Sequence, residues 1–307
     1  MANLQNEKYG IFAYIITLFF FASMEALAKY LSETFTVIQI VWARYAFQFI
    51  LVIIVIFFIE VFGYNTGIKK PKLLKIQIFR SLSLVLMTYC FFASLSKLPL
   101  VEATIISFIF PLITVLLSPV LLREKVTFSS LIAVSIGFLG MVVALIPNAD
   151  FNNFNENNDW FLGILLGIAS AFFYSLYQIL TRVIANKDSA VTSLLFSGLA
   201  GLLLTSIFVI INVDPVSLEK AWKAPVIYEW LFLIFVGTLG AIGQFFILLA
   251  YSKARALTLA PISYIHLLWA TIFGYLIFNY VLNIQTLFGA LLIIFSGIYT
   301  YKKKINN

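Results

Sequence analysis

Ten long apolar stretches occupy most of the 307-residue chain, and they restrict it to folds that a lipid bilayer can hold. The hydrocarbon core of a bilayer is about 30 Å thick, so a helix that crosses it needs roughly 20 apolar residues. The stretches all have about that length: residues 10–28, 38–59, 76–95, 101–122, 128–147, 161–180, 191–212, 228–251, 257–278 and 284–301. We therefore predict an all-α integral membrane protein with ten transmembrane helices.

The composition supports this class and argues against others. Hydrophobic residues make up 62% of the chain and charged residues 11%, whereas soluble domains carry about 25% charged residues. The net charge of +7 comes from basic residues spread over short connections, so it does not indicate nucleic-acid binding. His266 is the only histidine and Cys90 the only cysteine, and the sequence predicts neither a metal site nor a cofactor.

Lysine and arginine are unevenly divided between the two sides of the predicted membrane. If the N-terminus is cytoplasmic, 15 of the 20 basic residues fall in inner segments, four fall in outer segments, and Arg44 lies within a helix. Cytoplasmic loops of membrane proteins are enriched in Lys and Arg. We therefore predict that both termini are cytoplasmic.

The second five stretches repeat the first five weakly. At an offset of 153 residues Glu25 aligns with Gln178, and at an offset of 157 Gly140 aligns with Gly297. A repeat with an odd number of spans enters the membrane in the opposite orientation, which is the inverted duplication of many secondary transporters. We predict two inverted five-helix repeats that form one membrane domain, residues 1–150 and 151–307. A duplicated channel or a merely structural repeat is the alternative.

Small residues and prolines indicate where these helices pack closely or bend. Lipid offers no hydrophobic reward for helix association, so close packing relies on small side chains along one face. The sixth stretch carries such a ladder at four-residue spacing: Gly163, Gly167, Ala171 and Ser175. The fourth and ninth stretches, which correspond in the two halves, contain Pro111, Pro119 and Pro261. Proline frees a backbone carbonyl, so these helices either line a cavity or are simply kinked.

Charged side chains within the stretches are candidates for a substrate site, because each costs roughly 2.5–3.5 kcal/mol at mid-bilayer. Glu25 either binds a substrate amine or couples protons, or it pairs with Lys29 one turn later and sets the helix depth. Arg44 either holds a substrate carboxylate or phosphate or extends to the outer surface. Arg80 and Arg182 lie near cytoplasmic ends, where we expect their guanidinium groups to reach the surface.

Uncharged polar and aromatic side chains complete the predicted site. Gln178 corresponds to Glu25 in the second half, so the two half-sites differ chemically. His266 shares a helix face with Trp269 and is, with Glu25, a candidate for proton coupling, although ordinary packing is the alternative. The predicted substrate-binding residues are Glu25, Lys29, Arg44, Tyr89, Tyr174, Tyr177, Gln178, Gln244, Tyr264, His266 and Trp269.

Signatures of enzymes are missing from the sequence. It contains no His-Glu-x-x-His, Gly-x-Ser-x-Gly or Gly-x-x-x-x-Gly-Lys motif, so we predict that the chain is not an enzyme and does not use ATP directly. A channel and a membrane-embedded enzyme are the competing classes.

The chain resembles the EamA branch of the drug/metabolite transporter superfamily over about residues 10–301. Residues 260–276 resemble the ninth helix of that family, and residues 111–125 resemble its fourth helix with the turn that follows. His266 stands where relatives often carry glutamine. The resemblance implies a multi-pass carrier of the cell inner (plasma) membrane with a central cavity between the repeats. Family members move amino acids, nucleotide sugars, S-adenosylmethionine and drugs.

The predicted function is secondary transport, by alternating access, of a small polar or zwitterionic metabolite such as an amino acid or S-adenosylmethionine. The ninth-helix pattern favours the S-adenosylmethionine group of the family. Export of drugs or toxic metabolites by the same fold is the alternative, and a channel is less favoured. The predicted partners are a small-molecule substrate and the lipid bilayer, and the chain is expected to act as a monomer or homodimer.

Overall fold

Helices are joined by short connections in the computed structural model, which describes residues 2–63, 68, 70–122, 128–145, 158–185, 187–279, 284, 285, 288, 289, 291, 292 and 295. No strand occurs within these residues. The helices are α1 (Ala2–Leu31), α2 (Val37–Val61), α3 (Leu74–Lys97), α4 (Leu100–Ser107), α5 (Phe110–Leu122), α6 (Phe128–Leu145), α7 (Asn158–Ile184), α8 (Ala190–Ile211), α9 (Ile227–Lys253), α10 (Ala256–Leu259) and α11 (Ile265–Phe278).

The apolar stretches form helices because a helix pairs its backbone groups internally, as lipid requires. Within the described residues, seven helices are long and apolar enough to cross a bilayer. The outward faces of α2, α8 and α9 expose large apolar side chains, which suits contact with lipid rather than water. The prediction of an all-α, multi-pass membrane protein is confirmed. Only residues 284, 285, 288, 289, 291, 292 and 295 of the tenth predicted helix (284–301) are described, so the count of ten and the orientation of the termini stay predictions.

Two stretches that were predicted as single spans are interrupted. The fourth splits into α4 and α5 around Phe108 and Ile109, and Pro111 follows in the first turn of α5, where its missing N–H costs least. The ninth splits into α10, a 3-10 turn that begins at Pro261, and α11. The two interruptions meet, since the Phe108 ring stacks on the His266 ring with 5.4 Å between centroids.

Helices of the two predicted halves pack against each other in three principal pairs: α1 with α9, α3 with α7, and α2 with α8. Small residues allow this closeness, because a Cβ on Gly163 would lie 2.8 Å from Leu98 and one on Gly167 would lie 2.8 Å from Ile106. Helices α1, α2 and α3 of the first predicted half correspond to α7, α8 and α9 of the second. When each helix is replaced by its counterpart, the same three pairs are obtained. This is the packing expected of two related halves, although the boundary at residue 150 stays a prediction.

Candidate substrate site

A cavity lies between α1, α2, α3, α7 and the two interrupted helices. The space between its atoms is about 590 Å³, and this figure includes open solvent at its mouth. Its charged and polar lining consists of Glu25, Arg44, Thr88, Ser107, Ser170 and His266. Its aromatic lining consists of Phe21, Phe91, Phe92, Phe108, Phe110 and Tyr174. The structure thus brings together four of the predicted site residues: Glu25, Arg44, Tyr174 and His266.

Glu25 and His266 meet at the wall of the cavity. The Glu25 Oε2 atom lies 3.3 Å from His266 Nε2, and the two side chains are 12% and 6% exposed. The His266 ring is held against Phe108, and its Nδ1 atom has no hydrogen-bond partner among the described residues. His266 is therefore the one basic side chain within 4.0 Å of Glu25 among the described residues, and its charge depends on a proton. A cationic group in the cavity would compete with this proton for the carboxylate.

Arg44 brings a buried positive charge to the same cavity. It is 1% exposed, its Nε donates to Met24 Sδ at 3.3 Å, and its Cζ lies 4.5 Å from the centre of the Tyr45 ring. Its Nη1 has no partner, and no carboxylate among the described residues lies within 4.0 Å. The alternative that Arg44 extends to the outer surface is therefore wrong. Burying a cation without a counter-charge is expensive, so the site favours an anionic ligand.

Aromatic rings enclose the space between these charges. Tyr174 contacts Phe110 edge-on, with ring centroids 4.6 Å apart, and it stacks on Tyr177 at 6.0 Å with an interplanar angle of 9°. Rings fixed in this way present flat faces and edges to a ligand, and they can pack against another ring or a cation.

The sequence did not point to the hydroxyl groups of the lining. The Ser107 and Ser170 hydroxyls lie 2.8 Å apart and join α4 to α7, and the Thr88 hydroxyl lies 2.9 Å from that of Tyr45. Serine and threonine in membrane helices usually return a hydrogen bond to their own backbone, so their presence alone carries little information. The only useful signal was the small-residue ladder on α7, which places Ala171 in the lining.

Comparison with known families decides the class of this protein. The sequence matches the EamA-like transporter family twice, over residues 8–146 and 161–301. The chain belongs to the EamA-like transporter family. The predicted family resemblance and the prediction of a transporter are thereby confirmed. Within the described residues, no group of three or more His, Cys, Asp or Glu side chains could hold a metal ion.

Relatives of this EamA-like transporter carry small metabolites. The S-adenosylmethionine uptake transporter of Rickettsia conorii is 27% identical over 306 residues, which cover 99% of this chain and 97% of the relative. The riboflavin transporter of Brucella anthropi is 27% identical over 210 residues, which cover 68% of this chain and 70% of the relative. A known crystal structure superimposes with a TM-score of 0.74 at 19% identity, covers 96% of both chains and has the same fold.

Seven predicted site residues of this EamA-like transporter lie outside the cavity lining: Lys29, Tyr89, Tyr177, Gln178, Gln244, Tyr264 and Trp269. Lys29 does not reach back to Glu25. Its Nζ donates to the carbonyl oxygens of Leu95 and Leu98, at 2.8 Å and 3.1 Å, where a cation suits the negative end of α3. Tyr89 donates to the Asp214 carboxylate at 3.0 Å.

The remaining residues of this group pack between helices. The Gln178 Nε2 lies 3.5 Å from the Tyr14 hydroxyl, and the Tyr264 hydroxyl donates to a backbone carbonyl of α6 at 3.3 Å. Both amide atoms of Gln244 and the Trp269 Nε1 are buried without a partner among the described residues. A contribution of these side chains to substrate binding stays a prediction.

Arg80 differs from its expected position. It was predicted to reach the cytoplasmic surface, but the residue is fully buried between α3, α7 and α8. The prediction for Arg80 is therefore wrong. Arg182, which is half-buried, donates from Nη1 to the Tyr251 carbonyl oxygen at 2.6 Å.

Proposed function

We propose that this chain is a secondary transporter of a zwitterionic, ring-bearing metabolite of the S-adenosylmethionine type, located in the cell inner membrane. The observation that carries the proposal is the presence of an unpaired guanidinium and a carboxylate in one cavity lined by aromatic rings. S-adenosylmethionine has a carboxylate, a cationic amine and sulfonium, and a flat adenine. Each of these groups has a chemical counterpart in the lining, and the printed name of the Rickettsia relative supports the same substrate.

Arg44 receives the substrate carboxylate in this proposal. Its free Nη1 supplies a charge-assisted hydrogen bond, which contributes about 1.5–3 kcal/mol. Glu25 receives the sulfonium or the amine, and the adenine ring packs against Tyr174 and Phe110. A neutral substrate would leave the Arg44 guanidinium without a counter-charge, so the cavity discriminates against it.

Glu25 and His266 couple this binding to a proton. A protonated His266 neutralises Glu25 in the empty cavity, and a cationic substrate group replaces it, so that a proton leaves when the substrate binds. Arg44, the other charged group in the lining, keeps its proton at all physiological pH values. The carrier therefore exchanges a proton for the cationic part of its substrate.

Alternating access follows from two inverted repeats, residues 1–150 and 151–307, with both termini in the cytoplasm. Support comes from the double family match, the excess of basic residues in inner segments and the symmetrical helix pairs. The interrupted helices α4–α5 and α10–α11 supply the points at which the cavity opens. Single cysteines at Ala2 and Asn307 in a Cys90→Ala background test the topology, because an impermeant thiol reagent added outside should label neither of them.

Ligand-dependent thermal unfolding of the purified protein tests the substrate class. A ligand that binds only the folded state raises the unfolding temperature. S-adenosylmethionine should raise it clearly, and S-adenosylhomocysteine, which lacks the sulfonium charge, should raise it less. Labelled S-adenosylmethionine should then accumulate in proteoliposomes.

Three outcomes would contradict the proposal. The first is an absence of any response to S-adenosylmethionine. The second is a response to riboflavin alone, which would assign the flavin class instead. The third is a steady ion current across a planar bilayer, which would indicate a channel.

A further inference from the structure

Arg80 forms a second buried cationic cluster, located towards the beginnings of α3 and α8 and outside the cavity lining. Its Nε donates to Gln77 Oε1 at 3.0 Å, and its Nη2 donates to the Ser193 carbonyl at 2.7 Å and to Ser197 Oγ at 2.6 Å. All three acceptors are neutral. The guanidinium thus has hydrogen bonds but no counter-charge in contact with it, although burial makes an isolated charge expensive.

Polar groups around this guanidinium make no hydrogen bond of good geometry. The Arg80 Nη1 and the hydroxyls of Tyr177 and Thr181 are buried and lack such a bond to a described residue, so the interactions of the Tyr177 hydroxyl with Arg80 and Thr181 are loose ones. The Arg80 Cζ lies 5.4 Å from the centre of the Tyr177 ring, and the Tyr177 hydroxyl faces both Arg80 and Thr181. An unmade hydrogen bond of a buried group costs about 1–3 kcal/mol. A small anion is the ligand that would satisfy these donors together.

Asp188 is the described carboxylate that acts on Arg80, and it does so from a distance. It lies beyond salt-bridge distance from the guanidinium, in the connection between α7 and α8. Its Oδ1 accepts the Lys72 backbone N–H at 2.8 Å, which ties this connection to the start of α3. Asp188 therefore holds two connections together and leaves the contact positions around Arg80 unfilled.

Tyrosine rings separate the Arg80 cluster from the cavity. Tyr177 stacks on Tyr174, which lines the cavity, and Tyr45 bonds to Thr88, which also lines it. Tyr45 and Tyr177 each interact electrostatically with both Arg44 and Arg80. The Arg44 Cζ lies 4.5 Å from the centre of the Tyr45 ring, so each guanidinium contacts one of these two rings, Arg44 in the cavity lining and Arg80 outside it.

We infer that the Arg80 cluster is a second anion-binding site, which takes over the substrate carboxylate from Arg44 when these rings part. The inference rests on the proposed function, because it places the cluster on the path of that substrate. A carboxylate that leaves one guanidinium in a medium of low dielectric constant loses a large electrostatic stabilisation. The Arg80 guanidinium, which lies beyond the tyrosine rings, replaces that stabilisation. It therefore lowers the free-energy barrier to movement of the substrate carboxylate through the protein. The ligand class is a carboxylate or a comparably small oxyanion.

Formate tests this site independently of the substrate. The unfolding temperature of the full chain is measured in sodium formate and in sodium gluconate at equal ionic strength, because gluconate is too large for a buried anion site. Formate should raise the unfolding temperature of the unmodified protein. Arg44→Gln and Arg80→Gln should each keep part of this rise, and the double variant should lose it. Arg80→Lys, which keeps the charge, should restore part of the rise.

Two results would overturn the second site. One is complete loss of the formate effect in Arg44→Gln alone, and the other is an undiminished effect in Arg80→Gln. A purely structural Arg80 would shift the unfolding temperature equally in both salts and leave the difference between them unchanged. Should Arg80→Gln fail to fold, Tyr177→Phe serves in its place, since loss of the facing hydroxyl should reduce the formate effect and an unchanged effect would refute the site.

Uptake of S-adenosylmethionine and of its decarboxylated form tests whether Arg80 lies on the path of the substrate carboxylate. Arg80→Gln should slow S-adenosylmethionine uptake about tenfold, the effect of one lost charge-assisted hydrogen bond, while equilibrium binding changes less than about twofold. Uptake of decarboxylated S-adenosylmethionine, which lacks the anionic group, should not change. Equal slowing of both compounds would refute the transfer of the carboxylate. If the unmodified protein carries neither compound, the proposed function fails, and the formate measurement still decides whether Arg80 binds an anion.

Discussion

Glu25 and Asp214 are both shielded from solvent, but they differ in the hydrogen bonds that their carboxylates accept. Glu25 has one ionisable neighbour at 3.3 Å, and its Oε2 makes no hydrogen bond of good geometry with a described residue. Asp214 is 1% exposed and accepts four hydrogen bonds between 2.9 Å and 3.2 Å, from the N–H groups of Ile38, Val216 and Ser217 and from the Tyr89 hydroxyl. A buried charge with all its hydrogen bonds supplied holds structure, whereas one without them is available to a ligand.

Asp214 holds the connection between α8 and α9 against the start of α2. The same connection also receives the Thr36 hydroxyl at the Ala221 carbonyl, and it exchanges two hydrogen bonds between Gln39 and the Lys223 backbone. A carboxylate at the N-terminus of a helix also interacts favourably with the helix dipole. Arg44 resembles Glu25 rather than Asp214, because it faces the cavity with an unused donor. Substitutions at these positions should therefore separate binding from stability.

The largest effect is expected for Arg44→Gln. The affinity for S-adenosylmethionine should fall about 100-fold, because a charge-assisted hydrogen bond of up to about 3 kcal/mol is lost. The unfolding temperature without ligand should not fall, since a buried charge without a counter-charge is removed. Isothermal titration calorimetry and thermal unfolding measure the two quantities, with Arg44→Lys as an intermediate variant. Unchanged affinity would refute the role of Arg44.

Asp214→Asn should have the opposite pattern. The free energy of unfolding should fall by about 1–3 kcal/mol, because Asn cannot accept every hydrogen bond that the carboxylate accepts. The affinity of the folded protein should stay within about twofold. Glu219→Gln in the same connection is the matched control, since its side chain is exposed. A loss of affinity in Asp214→Asn without a loss of stability would contradict a structural role for Asp214 and would indicate that it binds the ligand.

The contrast between these carboxylates also shows what the sequence could predict. Periodic apolar stretches determine helices locally, and an ionisable residue within one of them is conspicuous, so Glu25 and His266, which both line the cavity, could be singled out from the sequence. Asp214 lies in a connection and bonds to Ile38, 176 residues away in the chain, which no local pattern reveals. Lys29 was paired with Glu25 by helical spacing. The carbonyl oxygens at the end of α3 compete for its ammonium and are closer.

The interruptions of the two proline-bearing helices were only partly predictable. Pro111 and Pro261 marked the right stretches, because proline cannot donate the hydrogen bond that continues a helix. The backbone breaks at Phe108 and Ile109, because Pro111 cannot donate to the Ser107 carbonyl one turn earlier. The stacking of Phe108 on His266, in contrast, joins residues far apart in the chain, and no local pattern reveals it. Burial of Arg80 was missed for a related reason, since its acceptors come from α8.

Glu25→Gln should have an intermediate effect on binding. The amide keeps the shape of the side chain but loses the charge that faces the sulfonium and amine, so affinity for S-adenosylmethionine should fall about tenfold. S-adenosylhomocysteine, which has one cationic group fewer, should lose less. Proteoliposome flux should also lose its pH dependence, as should flux through His266→Gln. Unchanged flux and unchanged pH dependence in both variants would remove this pair from the coupling mechanism.

Gly240→Ala should have the smallest effect and tests whether Arg44 is held in place by its surroundings. A Cβ at position 240 would lie 3.1 Å from Met24 Sδ and 3.3 Å from Arg44 Nε, so the guanidinium must shift by a few tenths of an ångström. A shift of this size should weaken the bond to the substrate carboxylate and reduce affinity about fivefold, or by about 1 kcal/mol. Gly198→Ala is the control, because its Cβ would meet Phe49 at a similar 3.2 Å, away from the cavity. Gly198→Ala should lose more stability, because its Cβ meets the Phe49 backbone, whereas only Gly240→Ala should lose affinity. Equal affinity of Gly240→Ala and Gly198→Ala for S-adenosylmethionine would mean that the Arg44 guanidinium adapts freely to its surroundings. Its missing counter-charge, rather than its fixed position, would then determine what the cavity binds.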